Sequence, residues 1–215
     1  MLKKYTHVIW DWNGTLLDDA QLCFNVINNL LTNRNLPAIK DISTYKDIFG
    51  FPIIDYYKRA GFDFDKEPFE VTAANFIKLY HSDKSRFHLF DSAADVILAI
   101  KKSGLRQIVL SASDRNSLHS QMEPFDIKPY FDEIIGISNI YGTSKMSVGA
   151  EYMGRNNISK SKTVLVGDTT HDFEVATALG IDCILIPNGH QNKHRLFKCG
   201  VPVLDNLSQT LDYIT

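Results

Sequence analysis

The sequence predicts an α/β protein with a Rossmann-like parallel sheet as its core and an inserted α-helical cap domain. From residue 89 onward, short β-branched segments alternate with segments whose apolar residues recur at helical spacing. Residues 18–88, which follow the first strand-like segment, have almost wholly helical spacing. Strands joined by helices form parallel sheets covered on both faces. We therefore expect a core domain of 1–17 and 89–215, with a cap domain of 18–88 over the strand ends.

Each element follows from a local pattern, taken in chain order. The run THVIWD at 6–11 is apolar and β-branched, which predicts a strand. Aromatic and aliphatic spacing predicts four cap helices, at 20–34, 43–50, 53–61 and 67–82. Ser92 and Asp95 predict the start of a core helix that ends at Gly104. The other core elements are strands at 107–111, 133–137, 163–168 and 182–187 and helices at 117–125, 147–156 and 172–180.

Composition and charge restrict the classes of function. The chain has 215 residues, 44% hydrophobic, and a formal net charge of -2, which is typical of a globular protein without a basic surface for nucleic acid. We expect no export signal and no membrane span, because no apolar run is long enough. The cysteines are odd in number and widely spaced, which favours small apolar roles in a reducing cytoplasm: Cys23, Cys183 and Cys199.

Polar residues follow three separate buried strands. Asp11 comes after THVIW, Ser111 after QIVL and Asp168 after TVLVG. In an open parallel sheet, ligands bind at the edge formed by the carboxyl ends of the strands. Lys145 lies between the 133–137 strand and a helix, so it reaches the same edge. These residues together predict a binding site there.

The acidic residues of this set predict a divalent cation. Asp168 and Asp172 are four residues apart in GDTTHD, so both carboxylates can face the loop mouth beside Asp11. Three carboxylates brought together without compensation repel one another and shift their pKa values. Mg²⁺ removes this cost, because it prefers oxygen ligands and accepts a substrate phosphate among them. The sequence thus predicts a magnesium site for a phosphorylated ligand.

Donor groups for a phosphate are expected at the same edge. Lys145, the Ser111 hydroxyl and the backbone N–H groups of the turn at 11–15 would bind the remaining phosphate oxygens. The expected partner is a small phosphorylated metabolite.

These motifs resemble those of the haloacid dehalogenase superfamily of phosphotransferases. The resemblance rests on DWNGTL at Asp11, VLSAS at Ser111, Lys145, and VGDTTHD at Asp168 and Asp172. It covers essentially the whole chain, since the helical insertion is similar to that family's cap. Length and cap placement are most similar to the phosphoglycolate phosphatase-like branch. The resemblance implies a Mg²⁺-dependent phosphatase that acts on a small phosphomonoester.

The resemblance also implies a role for each site residue. Asp11 would be the nucleophile that forms an aspartyl-phosphate, which water then hydrolyses, and Asn13 and Lys145 would complete the catalytic set. The metal ligands would be Asp11, the backbone carbonyl of Asn13 and Asp168, with Asp172 close by. The residues that hold the phosphoryl group or shape the turn around it would be Ser111, Ala112, Lys145, Gly14 and Thr15.

Asn13 departs from the family's pattern. Phosphatases of the family usually have a second aspartate there, which exchanges protons with the leaving group and with water. Such a group is commonly worth about 10²–10⁴ in rate, so Asn13→Asp is expected to raise the rate. Several alternatives stay open: another acid–base residue, a slow or non-catalytic phosphate-binding relative, a dehalogenase or phosphonatase, and deamidation of Asn13. The acid–base candidates near the site are Asp18, Asp19 and His171.

Other positions near the sheet edge are less informative. Ala112 stands where the family often has asparagine, and Ser113 or Asp114 is expected to compensate. His190 and His194 follow the last strand and are given no role.

Specificity is expected to come from the cap. The stretch that contains Gly50 and Phe51 is the candidate, whereas Lys58 and Lys78 are expected on solvated helix faces. The aromatic residues of the cap are compatible with a monomer or a homodimer.

Overall fold

The computed structural model describes residues 4–137 and 144–215 and confirms the α/β fold. The residues at 1–3 and 138–143, all within the predicted core domain, lie outside the described part. The described residues form five strands and ten α-helices. In chain order these are β1 (His7–Trp10), α1 (Ala20–Thr32), α2 (Ile42–Ile48), α3 (Ile53–Ala60), α4 (Phe69–Tyr80), α5 (Ala93–Lys102), β2 (Arg106–Asp114), α6 (Arg115–Met122), β3 (Glu133–Ile137), α7 (Lys145–Arg155), β4 (Thr163–Gly167), α8 (Thr170–Leu179), β5 (Asp182–Leu185), α9 (Lys193–Leu196) and α10 (Thr210–Ile214).

The five strands form one parallel sheet in the order β3-β2-β1-β4-β5. The central strand is therefore the first one in the sequence. Trp10, the last residue of β1, is paired with Val109 of β2 and with Val166 of β4. The residues just beyond these pairs thus lie side by side, so Asp11, Ser111 and Asp168 share one edge of the sheet, although β2 continues past this edge to Asp114.

The two faces of the sheet are covered by different helices. Side chains alternate between the faces of a strand, and in β1 the residues Val8 and Trp10 belong to one hydrophobic cluster while Ile9 belongs to the other. The Ile9 cluster contains Met153 of α7 and Val175 of α8. Both faces are therefore buried, which explains why the strands are apolar without polar alternation.

Helices α1 to α4 lie between β1 and α5 in the sequence, as the helical spacing of this segment predicts. Their aromatic residues pack on one another, for example Tyr45 on Tyr56 with ring centroids 5.9 Å apart and Phe49 on Tyr56 at 5.0 Å. These residues share a cluster with Trp10 of the sheet. We refer to 18–88 as the cap segment, and its status as a separate domain stays a prediction.

The expected cap of α5 by Ser92 is wrong in detail. Ser92 is the residue before α5, but it has φ -97° and ψ 0°, and its side chain makes no capping hydrogen bond. A capping side chain reaches the first turn from an extended backbone, which Ser92 does not have.

The boundary between β2 and α6 also differs from the expectation. The strand predicted at 107–111 extends to Asp114, and the next helix begins at Arg115. The Asp114 carboxylate accepts hydrogen bonds from the backbone N–H groups of Asn116 and Ser117, each at 3.1 Å. An N-cap of this kind starts the helix earlier than apolar spacing alone indicates.

No helix within the described ranges is both long enough and apolar enough to cross a lipid bilayer.

Candidate active site

Three carboxylates meet at the carboxyl edge of the sheet. Asp11 follows β1, Asp168 follows β4, and Asp172 lies in the first turn of α8. One oxygen of each lies within 4.8 Å of the others, and all three side chains are buried. The structure therefore brings together the acidic residues that the sequence places at this edge.

The start of α8 holds Asp172 in place. Thr169 and Asp172 form a capping box, in which Asp172 Oδ2 accepts from the Thr169 N–H at 3.0 Å and from its hydroxyl at 2.7 Å. The Asp168 N–H also donates to this oxygen, at 3.2 Å. With Oδ2 bound to the helix terminus, Oδ1 of Asp172 faces the other site residues.

Lys145 lies between two of these carboxylates. Its Nζ donates to Asp11 Oδ1 at 2.6 Å and to Asp172 Oδ1 at 2.5 Å, and only 3% of the residue is exposed. Burial alone lowers the pKa of Lys145, but the carboxylates of Asp11 and Asp172 raise it above its usual value. Lys145 is therefore a buried cation that compensates part of the negative charge.

The remaining negative charge fits a cation. Burial raises the pKa values of Asp11 and Asp168 above the ordinary value, and the neighbouring carboxylates add to this shift. Burial acts in the same direction on Asp172, but Lys145 lowers its pKa below the ordinary value. One lysine thus stands against three buried carboxylates, and a hard divalent cation with oxygen ligands would compensate the excess.

The turn after Asp11 is fixed by Gly14 and Thr15. Gly14 has φ +77°, and a Cβ there would collide with the Asp168 carboxylate and lie 2.6 Å from His190 Cδ2. The Thr15 hydroxyl contacts Asp11 Oδ2 at 3.3 Å and Asp168 Oδ1 at 3.2 Å. These two residues therefore position the carboxylates of the site.

The Gly14 N–H, which the sequence offers as a phosphate donor, has protein acceptors in this structure. It donates to the Leu17 carbonyl and to Asp19 Oδ1, both at 2.9 Å.

The amide of Asn13 donates into a ring of acceptors. Its Nδ2 lies 2.8 Å from Asp19 Oδ2, 3.1 Å from the Tyr80 hydroxyl and 3.1 Å from Gln121 Oε1. A carboxylate oxygen at the same point would face the Asp19 carboxylate instead of donating to it. The surroundings of position 13 therefore suit an amide.

The other end of the Asn13 side chain accepts from serines. Asn13 Oδ1 lies 2.9 Å from the Ser113 hydroxyl and 3.5 Å from that of Ser111. Ser111 is buried within β2 at the predicted edge, and Ala112 beside it is half-buried. Of the two residues expected to compensate for Ala112, Ser113 contacts the site, while Asp114 caps α6.

Asp19 is a central acceptor that the sequence only lists among several candidates. In addition to Asn13 and Gly14, it accepts from the Tyr80 hydroxyl at 2.6 Å and pairs with His190 Nε2 at 3.2 Å. Burial would raise the pKa of Asp19, but His190 and the hydrogen-bond donors lower it. Asp19 is thus held ionised, which does not suit a group that must protonate a leaving group.

His190 is a site residue that sequence reasoning missed. Its backbone N–H donates to Asp168 Oδ2 at 2.5 Å, and its ring stacks on Phe49 of the cap segment at 4.6 Å. Its Nδ1 lies 2.8 Å from the Tyr45 hydroxyl. Burial alone would lower its pKa, but Asp19 raises the value to about 9. The feature of the sequence that could have indicated a role for His190 was its position in a loop at the carboxyl end of β5.

The other acid–base candidates are not in this network. Asp18 is adjacent to the network, but the residue is exposed; partial desolvation of its carboxyl group, and next the negative charge of Asp19, raise its pKa. His171 stacks on Phe51 at 4.4 Å and pairs with Glu174 at 3.2 Å. Among the three candidates, Asp19 is the one that contacts Asn13 in the described residues.

The fold and this set of residues define an α/β protein with a buried carboxylate site at the edge of a parallel sheet. The sequence model of the haloacid dehalogenase-like hydrolase family matches residues 8–186. The chain therefore belongs to the haloacid dehalogenase-like hydrolases.

Named relatives are similar to the chain at low identity. Tyrosine-protein kinase PtkA of Mycobacterium tuberculosis is 25% identical over 212 residues, which cover 95% of this chain and 69% of that protein. Phosphoglycolate phosphatase of Caulobacter vibrioides is 21% identical over 197 residues, which cover 85% of this chain and 79% of that protein.

Solved structures share the fold. A haloacid dehalogenase-like family hydrolase from Streptococcus pneumoniae superimposes with a TM-score of 0.86 at 17% identity, covering 99% of both chains. At this identity the likeness shows the fold alone.

Proposed function

We propose that this protein is a magnesium-dependent phosphatase that hydrolyses a small phosphomonoester through an aspartyl-phosphate on Asp11. The observation that carries the proposal is the pairing of Asp11 with Lys145 beside Asp168 and Asp172 at the carboxyl edge of the sheet. The family and its phosphatase relatives support the same reaction class.

The protein's own residues orient the nucleophile. Lys145 binds one oxygen of Asp11 and Thr15 contacts the other, so the carboxylate is fixed before a substrate arrives. In the first step an Asp11 oxygen bonds to phosphorus while the bond from phosphorus to the ester oxygen breaks, and the ester oxygen takes a proton from solvent and leaves as the alcohol. In the second, a water oxygen bonds to phosphorus while the bond from phosphorus to Asp11 breaks; the proton of the water passes to solvent, inorganic phosphate departs and the carboxylate is restored. Lys145 supplies positive charge for the transferring phosphoryl oxygens in both steps.

The same edge would hold the metal ion. Asp11 and Asp168, with the Asn13 backbone carbonyl and Asp172 nearby, provide the oxygen ligands that Mg²⁺ prefers. When bound, the ion neutralises phosphoryl charge and aligns the reacting groups.

The amide at Asn13 sets the expected rate. Neither step has a proton-exchanging side chain at this position, so we expect slow turnover and a preference for substrates with good leaving groups.

The decisive test measures phosphate release from a panel of small phosphomonoesters, with Mg²⁺ and with excess chelator. We expect Mg²⁺-dependent release by the wild type and loss of at least about 10³-fold in Asp11→Asn, because the amide is a poor nucleophile. The matched control is Asp126→Asn, which changes an exposed aspartate away from the site. Full activity in Asp11→Asn would exclude the assigned nucleophile. No phosphate release from any ester of the panel would favour a relative that binds phosphate without turnover.

A second candidate is transfer of the phosphoryl group to a tyrosine hydroxyl. It is favoured by the similarity to a protein named as a tyrosine kinase over 95% of this chain, and by the absence of a carboxyl group at position 13 to activate water. In this reaction the hydroxyl oxygen replaces water as the attacking atom and its proton passes to solvent. Incubation with γ-labelled ATP and a tyrosine-rich peptide tests it. Label in the peptide, lost in Asp11→Asn, would favour the kinase over the phosphatase.

A further inference from the structure

Two arginines and a glutamine converge beside Gly50, where the cap segment meets the core. Measured from the point at which a Cβ would stand on Gly50, Arg59 Nη2 lies at 3.4 Å, Arg195 Nη2 at 3.6 Å and Gln191 Nε2 at 3.8 Å. Arg59 belongs to α3, Arg195 to α9, and Gln191 to the loop after β5. We call these three side chains the junction cluster.

The arginines are held by backbone carbonyls near the end of α2. Arg59 Nε donates to the Ile48 carbonyl at 2.8 Å. Arg195 Nη1 donates to the carbonyls of Phe49 at 2.6 Å and Lys46 at 3.0 Å. These contacts use Nε of one guanidinium and Nη1 of the other, and they leave both Nη2 groups turned toward Gly50.

The side chain of Gln191 is also held in place by hydrogen bonds. It is fully buried, its Oε1 accepts from the Thr170 N–H at 2.9 Å, and its Nε2 donates to the Phe49 carbonyl at 3.2 Å. Thr170 lies between Asp168 and Asp172 in the sequence, so this amide connects the junction cluster to the acidic loop of the site.

The charge of the junction cluster has no counterion among the residues that the structure describes. No carboxylate there lies within 4.0 Å of a nitrogen of Arg59 or Arg195. Asp47 attracts Arg195, but its carboxylate is bound at 2.6 Å by Asn192. Burial lowers the pKa of Arg195, and the positive charge of Arg59 lowers it further. Arg59 is exposed and Arg195 is half-buried, so water screens part of the repulsion between the two guanidinium groups, and a bound anion would relieve the part that remains.

We propose that the junction cluster binds an oxyanion, either a phosphate or a carboxylate group. Guanidinium edges match the geometry of such groups and bind them through paired hydrogen bonds. Arg59 comes from the cap segment, whereas Arg195 and Gln191 come from the other side of the junction. An anion that contacts both sides binds best when the cap segment is closed on the core, so it stabilises that state.

Two kinds of ligand could supply this oxyanion, and both carry the same chemical group. It is either a second anionic group of the substrate or a free anion such as inorganic phosphate. Binding as such does not depend on the proposed phosphatase function; the assignment to the substrate rests on it.

Calorimetric titration with sulfate tests the binding. The titration is made in chelator, against chloride at equal ionic strength, so that metal-dependent binding at the carboxylate site does not contribute. We expect saturable binding by the wild type and a loss of about tenfold or more in Arg59→Gln, the scale of one charged hydrogen bond. Arg106→Gln, an exposed arginine at the start of β2, is the matched control and retains wild-type binding. No saturable binding by the wild type, or equal binding by Arg59→Gln, overturns the proposal.

Arg59→Glu tests the same site by two measurements, the affinity for sulfate and the melting temperature. Its carboxylate would lie beside Arg195 and replace the anion, so we expect sulfate binding to disappear while the melting temperature in chloride is maintained or raised. Wild-type sulfate affinity in Arg59→Glu would overturn the proposal.

Kinetics then distinguish the two sources. Two phosphomonoesters of similar size are compared, one with a carboxylate on its alcohol part and one with a neutral alcohol part. If the anion belongs to the substrate, Arg59→Gln raises the KM ratio of the acidic to the neutral ester about fivefold or more, and Arg106→Gln does not. If that ratio is unchanged while sulfate binding is lost, the site takes a free anion. If no ester is hydrolysed, the phosphatase proposal fails while the calorimetry still decides the anion site.

Discussion

Asn13 is held as an amide by its neighbours. Three acceptors surround Nδ2, and the nearest is an oxygen of the ionised Asp19 at 2.8 Å. The family's pattern predicts that an aspartate here would speed the reaction. The contacts predict that an aspartate would not speed the reaction, because the three surrounding groups accept hydrogen bonds and therefore need a donor at position 13.

We therefore expect Asn13→Asp to be less stable than the wild type and no faster. Two carboxylates at hydrogen-bond distance repel each other, and the loss of a buried hydrogen bond costs about 1–3 kcal/mol. Adding Asp19→Asn returns a donor to the pair but also removes the charge that pairs with His190, so the double variant should lose less stability than the sum of the two single variants. Urea unfolding of both single variants and the double variant measures the coupling. A tenfold faster Asn13→Asp with unchanged stability would contradict this account.

The positions of the site residues were predictable from the sequence, but their partners were not. Asp11, Ser111 and Asp168 follow apolar β-branched runs, and parallel strands bring such residues to one edge. The partners of Asn13 depend on packing between distant segments, since Tyr80 and Gln121 are 67 and 108 residues away in the chain. Local patterns carry no information about such contacts.

At the scale of single elements, the turn after β1 is tightly constrained. Gly14 adopts a left-handed conformation with Asp168 and His190 directly beside it. A side chain there is disfavoured by the backbone and also by the space, so this turn and the acidic loop after β4 form one packed unit.

Gly14→Ala separates these two effects when it is compared with Gly200→Ala. Gly200 has a similar φ of +69°, but nothing lies within 4 Å of the added Cβ. We expect Gly200→Ala to cost about 1 kcal/mol from backbone strain. Gly14→Ala should cost about 1–3 kcal/mol more, because the site is overpacked. Denaturant unfolding checks both, and equal costs would show that the turn relaxes freely.

Helix boundaries were less predictable than the elements themselves. Apolar spacing locates α6 but starts it two residues late, because the start of the helix is set by the Asp114 side chain and not by its apolar face. The short helices α9 and α10, of four and five residues, carry too few positions for a periodic pattern.

At the scale of the whole molecule, the buried pair of His190 and Asp19 links the cap segment to the sheet edge. His190 contacts Tyr45 and Phe49 of the cap segment and Asp168 of the site. Its ionisation should therefore affect the stability of the entire fold.

We expect this pair to make stability pH-dependent in metal-free buffer. The pKa of His190 is raised to about 9 from the ordinary 6.5, so its stabilisation is complete below pH 6.5 and is lost as the pH rises through 9. The pKa of Asp19 is lowered, so its contribution is present above pH 3.8 and is lost on further acidification. The shift of His190 corresponds to an upper bound of about 3 kcal/mol.

His190→Gln isolates this contribution. Between pH 6 and pH 9.5 the free energy of unfolding should fall more in the wild type than in His190→Gln. Parallel curves for the two proteins would mean that His190 is not charged in the folded state.

The central position of β1 has a consequence for how the chain is made. A ribosome releases β1 before its two neighbours, which start only at Arg106 and Thr163. During most of translation Val8, Ile9 and Trp10 therefore lack their native partners, and an unpaired apolar strand is prone to aggregation. Helices α1 to α4 emerge next and include residues that share a hydrophobic cluster with Val8 and Trp10. In the nascent chain, the cap segment is thus available to cover β1 before either neighbouring strand has been made.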